Sequence, residues 1–165
     1  MILSILLWNY SAMAQTDCGQ DTIMYSMAYN YIINDSVNQN KKIEVSDSIV
    51  DLDRFWFSQY MNNFPIEKEK LDQYRANKNY KWFESYYSPC IASLFCKKNQ
   101  QSNNILFFSQ IEDNMLRVDI LPKKPQNNKI SYNDLAFQNT GQIYLFLFTF
   151  CGHIRAVFGT KIIYD

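Results

Sequence analysis

The sequence predicts an α+β fold, with N-terminal helices packed on one face of a C-terminal antiparallel sheet, and three observations predict it. Apolar residues recur at helical spacing through the first half of the chain. After Asn104 the rhythm shifts to alternation, as half-buried strands require. Ile143 to Phe150 is then apolar on both faces, which marks a central strand. No repeat or linker divides the 165 residues, a length that suits one domain.

The helical half can be justified element by element. Ile23, Met24, Met27, Ala28, Tyr31 and Ile32 form one stripe, with Asp21 as cap and Asn34-Asp35-Ser36 as stop. Ile43 to Val45 reads as a short strand. Ser48 with Asp51 resembles a capping box, which predicts a second helix to about Asn62. Pro65, with Glu67 and Glu69 early and Lys70 later, opens a third helix. Trp82, Phe83, Tyr86 and Tyr87 predict a short aromatic helix or turn. Ser88-Pro89 caps a further segment ending at Lys97-Lys98.

In the second half, Ile105 to Gln110 and Met115 to Ile120 are strands joined by a turn at Glu112-Asp113-Asn114. KKPQNN (123–128) is a solvated loop. Cys151-Gly152-His153 turns the chain into a last strand, with Gly159 as a bulge or break before Lys161 to Tyr164. Helices on one side leave the other face of the central strand in need of a cavity wall, a second layer or a partner subunit, a homodimer through the sheet face included. The element order resembles that of cystatin-like or NTF2-like domains, whose curved sheets fold over helices. That resemblance brings no motif and implies no activity.

The opening segment bears on the compartment. Residues 1–14 (MILSILLWNYSAMA) carry a seven-residue apolar run and Ala12-Met13-Ala14, the small-residue pattern of a cleaved signal peptide. Cleavage leaves residues 15–165 as a single mature domain, secreted or periplasmic. The first basic residue is Lys41, so the usual basic flank is missing, and the alternative is an apolar N-terminal strand or helix kept in the fold. Neither this run nor Ile143–Phe150 reaches the ~18–20 residues that span a bilayer. Gln15-Thr16-Asp17 lacks the residues that would direct lipid onto Cys18.

Export would place Cys18, Cys90, Cys96 and Cys151 in an oxidising space, where four cysteines read first as disulfides. Closing Cys90–Cys96 is worth about 2.4 kcal/mol and Cys96–Cys151 about 4 kcal/mol by chain entropy. A helix through 89–97 would forbid the short pairing, so a long-range bridge involving Cys151 is expected.

The balance of 16 Lys+Arg against 16 Asp+Glu excludes the basic footprint of a nucleic-acid binder, and 12 Tyr with 12 Phe exclude a disordered chain. Chemistry is sparse. His153 is the lone histidine, and a dyad with Cys151 requires a contact that a turn does not favour. Asp47, Asp51 and Asp53 lack the EF-hand spacing and suit a helix start, and zinc spacing is missing too, so no metal or cofactor is expected. Glu112, Asp113 and Asp119 offer carboxylates for acid–base work. Arg117, Asp119 and Arg155 would share an outward sheet face, as a polar site for an anionic ligand or as cross-strand ion pairs. Tyr144, Phe146 and Phe148 would line an apolar pocket. Phe55-Trp56-Phe57, Trp82, Tyr86 and Tyr87 offer aromatic rings for a partner or a sugar, or for the core. Asn34-Asp35-Ser36 is a glycosylation sequon only in a glycosylating host.

Together these features point to a non-enzymatic exported domain that binds a protein partner or small ligand. The alternatives are a small secreted hydrolase or isomerase built on Asp119 or His153, and a carbohydrate-binding accessory module.

Overall fold

A computed structural model describes residues 19–77, 83–95, 102–123, 131–137 and 139–164. The leader 1–14, Cys18, Trp82, Cys96 and the loop after Lys123 lie outside them. Helix α1 (Gly19–Asn34) leads into strand β1 (Ile43–Val50), a 3-10 turn (Phe55–Tyr60) and helix α2 (Pro65–Asn77). Strand β2 (Ser85–Tyr87), helix α3 (Pro89–Leu94) and strands β3 (Asn104–Phe108) and β4 (Met115–Pro122) follow. Helix α4 (Tyr132–Ala136), strand β5 (Thr140–Phe148) and strand β6 (Ile154–Ile163) complete the described chain.

The fold is α+β, around one open six-stranded sheet of order β2-β1-β3-β4-β5-β6. Every pairing is antiparallel except β1 with β3, so a strand from the helical half enters the sheet in parallel and makes it mixed. The β3–β4 hairpin turns where expected, with Asp113 and Asn114 at φ of 53° and 59°. Left-handed backbone of this kind favours Asn and Asp among non-glycine residues.

Alternation along β4 and β5 assigns two faces. Leu116, Val118, Ile120, Tyr144, Phe146 and Phe148 pack against Met24, Tyr25, Ala28 and Ile32 of α1 and Ile91 of α3. On the other face, Met115, Ile143, Leu145 and Leu147 pack against Phe57 and Met61 of the 3-10 turn and Leu71 of α2. Tyr132, Leu135 and Ala136 of α4 cover Phe107 and Leu121 beside them. The second face is therefore covered by a second layer of the same chain, which removes the bare surface that would motivate a homodimer through the sheet.

Several sequence expectations need correction. Ser48 and Asp51 open no helix, because β1 continues to Val50 and only the 3-10 turn forms before Pro65. Tyr86 and Tyr87 lie on an edge strand rather than in a helix; tertiary pairing with Ile49 and Ser48 overrides their helical spacing. Gly159 does not break the last strand. A Cβ there would lie 3.1 Å from Cε1 of Tyr144, so the glycine lets the ring close against β6. The bulge falls instead at Arg155, where the register shifts between Leu147–Ala156 and Phe148–Ile154 and turns Ile154 toward α1. Among the described residues, no helix is long and apolar enough to cross a membrane.

Candidate functional site

Arg117 and Asp119 share one face of β4 because residues two apart on a strand point the same way. That face is interior, and neither side chain is exposed. Nε of Arg117 donates to Oδ1 of Asp119 and Nη2 donates to Oδ2, both at 2.8 Å. Tyr132 of α4 and Tyr164, just past β6, donate their hydroxyls to the same Oδ2 at 2.6 and 2.5 Å. Arg117 gives further hydrogen bonds to the Tyr164 hydroxyl at 2.8 Å and to the Asp53 carbonyl. A buried pair with its remaining hydrogen-bond positions filled is the form of ion pair a protein core tolerates.

The electrostatics follow from that closure. Burial alone would pull the Arg117 guanidinium down, but the facing Asp119 carboxylate and the two phenols hold it above its ordinary value. Burial, then the Asp119 charge, pushes the Tyr132 and Tyr164 phenols well above the usual tyrosine range. The Asp119 carboxylate oxygens and both phenol oxygens are hydrogen-bonded within the cluster, with Tyr164 partly buried at its edge. Its role is to tie β4 to α4 and to the end of β6.

The expected polar face therefore divides. Arg155 stands apart from the pair, on the surface, where Nη1 donates to Oε1 of Glu67 at 2.5 Å and the guanidinium sits 5.0 Å from the Phe64 ring centre. It belongs to a small groove of about 290 Å³ between α2 and the β3–β4 and β5–β6 turns. There Lys70 and Asp113 also pair, at 2.6 Å. Glu112 instead accepts from Nη1 of the buried Arg54 at 2.7 Å. Asp53 Oδ1 accepts the Phe55 N–H at 2.7 Å, and Asp47 Oδ1 accepts the Ser48 hydroxyl at 3.2 Å. Among the described residues no group of three or more His, Cys, Asp or Glu side chains comes together.

Tyr144, Phe146 and Phe148 line no common pocket, because they pack in the core under α1, and only Phe148 reaches a groove, the one that holds Arg155. Tyr144 is nevertheless polar at its tip. Its hydroxyl donates to Oδ2 of Asp35 and accepts from Nδ2 of Asn38, both at 2.8 Å, and burial followed by the Asp35 bond raises its phenol above the ordinary range. Cys151 is free and exposed, so the long-range bridge expected at that residue does not form. Cys90 is disulfide-bonded. His153 is exposed, and its backbone N–H is held by the Thr149 hydroxyl at 3.1 Å. Of the aromatic run, Phe57 is core, whereas Trp56 and Tyr60 are 53% and 45% exposed; Tyr87, on the edge strand β2, is 63% exposed.

An open concavity lies on the α1 side of the sheet. Met27, Asn30, Tyr31, Asn34 and Asp35 on α1 and Ile154 on β6 line a groove of about 540 Å³. Three contacts, made to Phe150 and to β5, show that α1 runs in the same direction as β6. Nε2 of Gln20 reaches the Phe150 carbonyl at 2.8 Å, just before β6 begins. The Tyr31 ring meets Phe146, which pairs with Val157. Asp35 holds Tyr144, which pairs with Gly159. On its other flank α1 packs against α3, where Tyr29 meets Phe95.

Sequence reasoning did not single out Tyr132, Tyr164 or this groove. The signal for Tyr132 was present: Ser131 and Asp134 form a capping box, with Asp134 N–H donating to the Ser131 hydroxyl at 3.2 Å. Asn30, Asn34 and Asp35 carry no motif, and their placement beside an edge strand is a property of topology alone. No protein-family model, no curated protein and no solved structure matches the chain.

Proposed function

We propose that the chain is exported after cleavage behind Ala14 and that the mature domain is a non-enzymatic module that recognises a protein partner. The reading rests on the contrast between two places in the fold. Arg117 and Asp119, the polar pair best suited to chemistry, are sealed and saturated by Tyr132 and Tyr164. The α1–β6 side, by contrast, is open to solvent along a groove of about 540 Å³. A groove lined by amides, an aromatic ring and apolar side chains suits recognition by shape and hydrogen bonding rather than bond cleavage.

The test is purification from the native envelope or medium with a C-terminal affinity tag, comparing the wild type with Ile154→Arg and with Arg155→Ala. The reading expects a polypeptide beginning at Gln15 and a co-purifying protein that Ile154→Arg loses and Arg155→Ala keeps. A mature chain beginning at Met1 contradicts the export. A partner retained by Ile154→Arg contradicts the binding surface.

A further inference from the structure

We propose that the α1–β6 groove accepts an extended peptide of the partner as a seventh strand on the outer edge of β6, with a carboxylate of that peptide placed against Lys41 and Lys161. This deepens the proposed recognition role and rests on it.

Three observations carry it. At ten residues β6 is the longest strand of the sheet, and among the described residues β5 is its only neighbour. Among the described residues no strand pairs with its outer backbone positions, whereas the opposite edge is blunted by the three-residue β2. The β6 edge has no proline, its charges are Arg155 and Lys161, and its bulge at Arg155 leaves Ala156 to Ile163 in regular register.

The second observation is the neighbouring helix. An edge strand flanked by a helix forms a slot in which an added strand gains main-chain hydrogen bonds from the sheet and side-chain contacts from the helix. Here α1, 16 residues and about 24 Å long, runs in the same direction as β6 and packs against Ile154 and Val157 of that strand. It turns Met27, Asn30, Tyr31 and Asn34 into the slot. A six-residue extended segment spans about 20 Å and fits that length.

The third observation is charge. Lys41 and Lys161 lie together at the Asp35 end of the groove, and Nζ of Lys41 donates to Oδ1 of Asn38 at 2.8 Å. Desolvation, and then the Lys161 charge, lowers the Lys41 ammonium, with Asp35 opposing both. Two neighbouring ammonium groups favour an anionic peptide group there.

The probe is a six-residue alternating valine–threonine peptide with a free terminal carboxylate, compared with its C-terminal amide, titrated into the isotopically labelled mature protein. The expected result is perturbation of the Ile154–Ile163 amides and of Tyr31, with the carboxylate form binding about fivefold tighter. Lys161→Ala should abolish that preference while the β6 perturbation persists. Unperturbed β6 amides at millimolar peptide, or equal binding of acid and amide, overturns the proposal. A peptide-independent dimer joined through β6, seen by sedimentation, overturns it in favour of a second copy as occupant. Peptide failure combined with partner loss in Ile154→Arg removes the strand-addition mode and leaves the recognition reading standing. Partner retention in that variant removes the recognition reading itself.

Discussion

Arg117 and Asp119, two residues apart on β4, close a two-pronged ion pair whose four nitrogen and oxygen ends meet at 2.8 Å with neither side chain exposed. Charges buried this deeply act as structure only while both are present. Asp119→Ala leaves a guanidinium in the core and should destabilise the domain by about 3–5 kcal/mol, read from urea unfolding. Replacing both residues by apolar ones of similar volume should cost less than that single change. Wild-type stability in Asp119→Ala would mean that the pair is solvated.

Alkaline pH should expose the same cluster. The phenols of Tyr25, Tyr132, Tyr144 and Tyr164 are all raised, chiefly by burial, and a raised folded value favours the neutral form. Their contribution is complete below the unfolded tyrosine value of about 10 and is lost as pH climbs above it. The urea midpoint should therefore hold steady with respect to these groups up to about pH 10 and fall steeply beyond. Tyrosinate absorbance should show these four phenols ionising only as the fold opens. A smooth titration of all 12 tyrosines in the folded protein contradicts the burial.

Gly159 is held to glycine by its neighbour across β5. Its absent Cβ would sit 3.1 and 3.2 Å from the Tyr144 ring, and Asp35 and Asn38 pin that ring at its hydroxyl. Gly159→Ala should destabilise by about 1–3 kcal/mol, and Tyr144→Phe in the same background should recover part of it by freeing the ring. Equal stability of Gly159→Ala and wild type would show that the ring moves without penalty.

Cys151 offers a simpler check. As a free, exposed thiol it can be replaced with little consequence, and Cys151→Ser should stay within about 0.5 kcal/mol of wild type in thermal unfolding. A loss of about 2–5 kcal/mol would restore the long-range bridge.

Periodicity made much of this fold legible before any coordinates. The stripe from Ile23 to Ile32, Pro65, the Ser88-Pro89 cap and the alternation through β4 and β5 all mark elements that form. The failures share a physical cause. Ser48 to Asp51 and Tyr86-Tyr87 carry local helix cues, yet pairing β1 with β2 and β3 supplies ladder hydrogen bonds and burial that local propensity cannot match. At the site, the face shared by Arg117 and Asp119 was legible from their spacing. Its burial was not, because the cover comes from α4 and Tyr164, distant in sequence. The sheet order that leaves β6 at an edge is equally non-local, and no motif in Asn30 to Asp35 announces a groove.

Site-specific photo-crosslinking in the native compartment tests the account most directly. A photoreactive phenylalanine analogue replaces Tyr31 on the α1–β6 side or, as control, the exposed Trp56 on the opposite face. The account predicts that position 31 captures the co-purifying partner and that position 56 does not. Capture from position 56, with position 31 silent, would contradict it.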